Sequence, residues 1–475
     1  MAGAHLPGAA RDSGPGMSDD NFPNSQRDAG TVEGCRAVQE ESSFLSQTVQ
    51  TAGANAVITG FGFLTGMLAA RLLGPAGRGE LAAIQVFPTM VASLGVLGVT
   101  EALVYFAARE PSKGGRWFAS GMALTVLSSI PFALGAYLLM PVILRAQAPA
   151  VVEAARFYLL IVLLSATVGL FTFPMQGLGK IARWNVMRLL PALVWLVVLL
   201  LGWARGTADA AGLSRSYLLG YAALALPFAL LALPKLGGPF RVEPRLWRPL
   251  LGYGLPSVLA FVPAMLNVRL DQMLMAAFLS PESLGLYVVA VSWSGALLRV
   301  LLQAIASVLV PRIASEKLDP ARQSARLGQG ARLGVITVVP TLVVLALITP
   351  LVLPLLFGSP YSRAIPAALV LLVAAGFDAF SGVLRAGLRG LGFPGDVLWG
   401  EILGLVVTAV CLALLLRPLD LMGAAIASLA SYLVVMIVLA QRVTHRTPLS
   451  LGDLLLPRAS EVTATLSRAR AGRLR

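Results

Sequence analysis

Two arginines, Arg269 and Arg299, sit deep inside long apolar stretches of this chain. A charged side chain at the centre of a bilayer costs roughly 2.5–3.5 kcal/mol on insertion scales, so such residues face a water-filled cavity or a charged partner. A guanidinium presents a planar fork of donors that meets phosphate through two charge-assisted hydrogen bonds at once. The chemistry these two residues offer is therefore anion binding within a membrane.

Other polar residues line up with them. Positions three or four apart share a helix face. On that spacing Ser292, Gly295, Arg299, Gln303 and Ser307 form one line, and Asp378, Gly382, Arg385 and Arg389 form another. Gln85, Thr89, Ser93 and Glu101 make a third, interrupted by Leu97, and Ser165, Gly169, Thr172 and Gln176 a fourth. Asn55, with Thr59 and Gly62, adds a polar face to the first apolar stretch. The candidate anion-binding set is thus Arg299, Arg269, Gln303, Arg385, Arg389, Asn55, Gln85 and Ser93. Tight helix packing also selects small and hydroxyl residues, and an arginine near a helix end, such as Arg389, can snorkel to the interface. Four acids lie in or beside the apolar stretches: Asp271, Asp378, Glu101 and Glu401. They are the candidates for carrying a coupling cation, Na or H. Arg269 and Asp271 are two apart and must point to different sides, Asn267 sharing a face with Asp271 and Gln272 with Arg269.

The elements that must position these groups are membrane helices. The chain of 475 residues is 57% hydrophobic and only 13% charged, with mean hydropathy +0.79. Soluble proteins carry about 25% charged residues, so this surface belongs in lipid. Twelve apolar stretches of about 18–28 residues can each cross the hydrocarbon core. Their approximate limits are 53–73, 81–108, 118–144, 157–178, 186–203, 217–233, 253–279, 286–310, 333–357, 364–388, 397–416 and 421–439. The fifth and sixth are short because GTADAAG lies between them.

Assigning each Lys and Arg to its nearest loop gives 17 on one side and 8 on the other. The excess marks the cytoplasmic side and places both termini there. Only Arg269 and Arg299 then belong to no loop. The net charge of +14 follows from this bias and needs no nucleic-acid partner.

The chain is doubled. RLLGPAGRGELAA (Arg71–Ala83) matches AFLSPESLGLYVV (Ala277–Val289) at an offset of 206, with Leu73 on Leu279, Pro75 on Pro281 and Gly79 on Gly285. QGLG from Gln176 falls on RGLG from Arg389. Six spans per half is an even number, so both halves enter from the same side as a parallel repeat. The expected organisation is a disordered cytoplasmic tail (1–47), a six-helix bundle (48–234), a cytoplasmic linker (235–250), a second six-helix bundle (251–441) and a basic tail (442–475). The fold class is all-α and polytopic, two six-helix bundles related by a pseudo-two-fold.

Catalytic signatures are missing: there is no GxxxxGK[ST], HExxH, CxxC or GxSxG element, and every loop is short. Two cysteines, Cys35 and Cys411, make neither a disulfide framework nor a metal site. His5 and His445 lie outside the apolar stretches, so no histidine relay crosses the membrane. The reading names no catalytic residue, no metal and no cofactor beyond a coupling cation.

The opening RLLGPAGRGELAA and GVTEALVYFAARE, then RLDQMLMAAFLSPESLGLYVVA, VPRIAS and RGLGFPGD, resemble the oligosaccharide flippases of polysaccharide biosynthesis, within the multidrug/oligosaccharidyl-lipid/polysaccharide (MOP) exporter superfamily. The resemblance runs over about residues 50–441. It implies a V of two bundles around a cavity that opens alternately to each side of a bacterial inner membrane. It also implies a substrate, an undecaprenyl-diphosphate-linked oligosaccharide, whose diphosphate would meet Arg299, Arg269 and Arg385. A polysaccharide polymerase and assembly proteins would be neighbours in the pathway. The related lipid II flippase has fourteen spans, whereas twelve are counted here. The multidrug branch of the superfamily often carries acids in its first and seventh spans; the first span here has only Asn55. A cation-coupled multidrug antiporter of the same fold is the alternative, and a non-transporting scaffold a third reading.

Overall fold

The computed structural model describes residues 25–206, 208–296, 298 and 319–456. Arg299 and Gln303, with Ser307 of the same line, lie outside the described residues. The chain divides into two units, Met1–Val49 and Gln50–Arg475, and the membrane body is the second. Helix α1 (Ser25–Gly95) begins inside the segment whose composition marks it as tail.

Eight helices among the described residues are long and apolar enough to cross a membrane, and nine when the bent α10 (Trp247–Phe278) is included. Two of the eight exceed any bilayer. The part of α1 from Gln50 to Gly95 has 46 residues, about 69 Å at 1.5 Å per residue against a hydrocarbon core of about 30 Å. It is broken at Gly74, whose φ of 67° only glycine adopts freely, immediately before Pro75. The 53 residues of α14 (Pro394–Arg446) are likewise broken at Asp420, φ 48°, two residues after Pro418. Each break separates two stretches that the hydropathy divides. The helix from Pro281, α11, is described over 281–296, and the described residues carry no count of twelve.

The remaining elements of the first half are α2 (Val99–Arg109), α3 (Gly114–Ile143), α4 (Pro149–Tyr158), α5 (Leu160–Leu170), α6 (Phe173–Gly177), α7 (Ile181–Ala204), α8 (Ala210–Ala223) and α9 (Ala225–Ala232). The α4–α6 run forms a single span over Pro149–Gly177, and α8 with α9 another over Ala210–Lys235. The short fifth and sixth stretches are corrected here. Asp209 of the GTADAAG run caps α8, its carboxylate accepting from Gly212 N at 3.0 Å, so AAGLSRSY belongs to the helix. Beyond α11 come α12 (Pro320–Phe357), α13 (Ile365–Gly390), α14 and the short α15 (Leu451–Leu455).

Leu219, Leu347, Leu351 and Leu414 are each at least two-thirds exposed. Side chains of this kind belong against acyl chains. Three apolar clusters hold the interior. The largest joins both halves near the Gly74 turn: Ala70, Leu81 and Ile84 pack with Met275, Leu284, Tyr287, Phe357 and Tyr361. The other two stay apart. One is built from the second half alone, with Leu327, Val383, Leu388 and Val435. The other combines Val99, Leu103, Trp117 and Phe228 with Leu250 of α10. The halves therefore fuse at the Gly74 end and separate toward the other, giving a V of two lobes. Helix α10 is bent by 47° between Leu259 and Phe261. Pro256 and Pro263 flank the bend, each removing a backbone donor from the ladder. Its first half lies on the N-lobe and its second half within the C-lobe.

Candidate functional site

Two cavities run between the lobes. The one nearer the Gly74 end, about 600 Å³, is lined by Arg78, Gln85 and Thr89 of α1, Tyr158 of α4, Arg188, Pro191 and Trp195 of α7, Tyr217 of α8, Arg269 and Gln272 of α10, and Ser292 of α11. The other, about 470 Å³, is lined by Thr89, Ser93, Thr100, Glu101, Tyr158, Ser165, Gly169, Tyr217, Tyr221 and Ser257. Thr89, Tyr158 and Tyr217 belong to both, so the two spaces adjoin.

The first cavity holds three arginines and no carboxylate among its described lining. Arg188 is half-buried. Its Nη2 donates to Asn55 Oδ1 at 2.7 Å, and its guanidinium lies 4.3 Å from the Trp184 ring. Its Nη1 is buried and meets no acceptor among the described residues; the same holds for Nε of Arg78. Two guanidinium N–H groups that have left water without gaining a partner are costly unless an acceptor arrives. Arg269 is exposed into the same cavity. Guanidinium groups placed in this way are complementary to the oxygens of an anion.

The structure sorts the sequence candidates. Arg269, Gln85 and Ser93 line the cavities directly. Asn55 acts through Arg188 as its acceptor. Arg385 lines neither interlobe space: its guanidinium is 2.8 Å from Asp378 Oδ1 and 2.6 Å from Glu401 Oε1, a triad within the C-lobe. Arg389 is exposed at the end of α13. The stripes Thr89–Ser93 and Ser165–Gly169 meet in the second cavity. Glu101 joins them, though not along one straight helix. The chain breaks between Gly95 and Val99, with Leu97 at φ 49° and Gly98 at φ 70°, so Glu101 starts a new helix and accepts from Thr100 Oγ1 at 2.6 Å.

The acids of the C-lobe face inward. Asp271 is 4% exposed and accepts from the Gln272 backbone N at 2.6 Å and from the Tyr287 hydroxyl, which also meets Ser428 Oγ at 3.0 Å. Asn267, one turn earlier, accepts from Thr408 at 2.7 Å and Ser431 at 2.9 Å. Arg269 and Gln272 look the other way, into the interlobe cavity. A space of about 70 Å³ inside the lobe is lined by Asp271, Asp378, Ser294 and Ser428. No group of three or more His, Cys, Asp or Glu converges on a metal-binding arrangement among the described residues.

Sequence reasoning missed Arg78 and Arg188. Arg78 lies in the RLLGPAGRGE turn, and Arg188, two residues into the 186–203 stretch, counts with the basic residues of the loop that flanks it. Helix α7 in fact starts at Ile181. The spacing held a usable signal: Arg188, Pro191, Ala192 and Trp195 fall on one face of α7, and all four line the cavity.

A family model described as polysaccharide biosynthesis protein matches residues 68–366. No curated protein sequence matches the chain. A solved lipid II flippase, MurJ, in an inward closed conformation, superposes with TM-score 0.71 at 11% identity, over 85% of this chain and 88% of that one. An inward-facing multidrug resistance MATE transporter of the MOP superfamily gives 0.68 at 15%, covering 82% and 95%. A MOP superfamily transporter from Pyrococcus furiosus, described as having a binding pocket of reverse polarity, gives 0.53 at 16%, covering 84% and 95%. At these identities the likeness is one of fold. With more than half of its length matched by the family model, the chain belongs to the polysaccharide biosynthesis protein family and carries the fold of MOP superfamily transporters.

Proposed function

We propose that this protein is a flippase that moves a lipid-linked oligosaccharide, joined through diphosphate to a polyisoprenyl chain, across a bacterial inner membrane for surface polysaccharide synthesis. The observation that carries the reading is the carboxylate-free interlobe cavity with Arg78, Arg188 and Arg269 in its wall. A diphosphate brings several anionic oxygens and satisfies the buried N–H groups of Arg78 and Arg188. The polar, hydroxyl-rich second cavity suits a glycan, while the lipid tail remains between the lobes and the bilayer. Arg299 and Gln303, outside the described residues, stay in the candidate set on their sequence spacing alone. Both termini are cytoplasmic by the loop-charge bias, so the substrate enters from that side. Coupling to Na or H is assigned to the C-lobe acids, with Asp271 foremost because it is buried beside a small polar space.

The alternative, a cation-coupled multidrug antiporter, draws support from the MATE likeness of fold and from Glu101 at the second cavity. Proteoliposomes carrying a fluorescent polyisoprenyl-diphosphate oligosaccharide test the two readings by quenching with a reductant that cannot cross the membrane. Flippase activity exposes the label protected in the inner leaflet. Retention of that protection, with uptake of an organic cation in the same vesicles, would overturn the reading in favour of the antiporter.

A further inference from the structure

Helix α7 separates two spaces. Arg188, Pro191 and Trp195 face the arginine cavity. Val194, Val197 and Leu201, three and four residues apart, lie on the opposite face and line a trench of about 770 Å³ between α7 and α8. The facing wall is Ser216, Leu219 and Ala223 of α8. Val197, Leu201 and Leu219 are at least half exposed, so the trench opens on the lipid-facing surface. The two helices approach where glycine allows it. A Cβ on Gly202 would lie 2.9 Å from Leu213 Cδ2, and one on Gly220 would lie 2.6 Å from Val194 Cγ1. These four residues also line the trench, so the close packing sets its floor.

The trench is charged at one end and apolar along the rest. At the α7–α8 turn it is lined by Arg205 and Asp209, both exposed. Gly206, at φ 66°, ends α7 between them, so the chain reverses and brings both charges to the same end. No ion pair joins the two among the described residues, and Asp209 uses Oδ2 to cap α8 through Gly212 N at 3.0 Å. Ser216, one turn beyond Gly212, is exposed in the trench. Past it the lining is only Leu, Val, Ala and Gly. The α7 wall from Leu190 to Arg205 is about 22 Å long, against roughly 15 Å for one leaflet's half of the hydrocarbon core, so an acyl chain fits lengthwise. A cation, an acid and a hydroxyl followed by hydrocarbon complement a phosphate, an ammonium and an ester followed by an acyl chain.

We propose that the α7–α8 trench is a binding site for one zwitterionic glycerophospholipid that carries a primary ammonium, a phosphatidylethanolamine. Arg205 meets the phosphate through its planar fork, Asp209 accepts from the ammonium, Ser216 donates to an ester carbonyl, and an acyl chain lies against Leu201, Val197 and Leu219. Phosphatidylcholine offers Asp209 no N–H group, and phosphatidylglycerol offers it no cation. Native mass spectrometry of the purified full chain, with these three lipids added in turn at one acyl composition, tests the site. One phosphatidylethanolamine should stay bound per chain, about tenfold tighter than either of the others, as one charge-assisted hydrogen bond provides. Asp209→Asn keeps a capping side chain on α8 and should lower phosphatidylethanolamine to the level of phosphatidylcholine. Arg205→Gln should weaken all three lipids about tenfold. Ala223→Phe fills the trench from an exposed position and should abolish retention, whereas Leu347→Phe, on the lipid-facing side of α12, should leave it unchanged. Equal retention of the three lipids by the unsubstituted protein overturns the proposal. So does an unchanged preference in Asp209→Asn, which would leave both charges to the helix ends they occupy. A two-chain mass that is lost in Ala223→Phe would assign the trench to a second copy of the chain and overturn the lipid site as well. Lipid retention requires no transport, so this site stands or falls apart from the flippase reading.

Discussion

Substituting Arg188 by Gln separates ligand binding from folding. Among the described residues the side chain makes one hydrogen bond, to Asn55 Oδ1 at 2.7 Å, and a cation–π contact with Trp184 at 4.3 Å. Glutamine can keep an amide donor toward Asn55 and removes a buried Nη1 that has no acceptor among the described residues. The cation–π contact is worth about 0.5–1 kcal/mol at a half-buried site, and deleting an unsatisfied buried donor returns about 1–3 kcal/mol. The two oppose each other, so thermal stability changes by little or rises slightly. Binding is different. A hydrogen bond to a charged group contributes about 1.5–3 kcal/mol, and 1.4 kcal/mol is tenfold in affinity. Arg188→Gln should therefore weaken a polyisoprenyl diphosphate about tenfold to 150-fold, and weaken the monophosphate less because fewer oxygens are shared. Fluorescence-detected titration of the purified protein in nanodiscs, with melting followed on the same sample, measures both. A variant that melts several degrees lower and binds diphosphate as before would assign Arg188 to packing and refute the anion site.

Two further outcomes follow from ion pairs outside the interlobe cavity. Removing one partner of a buried pair strands the other and costs about 3–5 kcal/mol; Arg385→Ala strands Glu401, whose side chain is 5% exposed, and Asp378, so its melting temperature should fall sharply, and the Arg385→Ala/Glu401→Gln double variant should recover part of the loss. In the linker, the hydrogen bond from Arg245, and then the charges of Arg245, Arg116 and Arg241, hold the Glu243 carboxyl below its ordinary range. A depressed carboxylate favours the folded arrangement above the ordinary value and loses that contribution as pH falls through the folded one; hydrogen exchange of residues 235–250 should accelerate below about pH 4, and in Glu243→Gln it should be fast at every pH.

The sequence carries the architecture because hydropathy and the repeat are local signals. The break at Gly74 before Pro75 is legible as a turn, and the match of Pro75 and Gly79 to Pro281 and Gly285 foretells a symmetric pair of hairpins. The pattern also separates Asn267 and Asp271 from Arg269 and Gln272, since two residues along a helix turn the side chain by about 200°. What stays hidden is which lobe face meets which. Arg385 reads as a cavity cation until Asp378, seven residues earlier, and Glu401, on the next helix, close around it. Arg188 reads as a loop charge because hydropathy windows lose the polar first turns of α7. Glu101 reads as part of a continuous stripe because nothing local announces left-handed dihedrals at Leu97 as well as Gly98.

The charge sorting has a physical consequence for transport. Nearly every acid within the C-lobe has a donor of its own: Asp271 has Tyr287 and the Gln272 amide, and Asp378 and Glu401 share Arg385. None of these three acids lines the arginine cavity. Arg78 and Arg188 of the N-lobe have no carboxylate beside them among the described residues. The cavity is thus cationic through the arrangement of its helices more than through overall composition. On the proposed flippase reading, an anion that entered from one leaflet would meet charges contributed by both lobes, Arg78 and Arg188 from one and Arg269 from the other. A ligand held that way favours whichever state brings the lobes' cationic faces together, and can shift the equilibrium only by its difference in affinity between states.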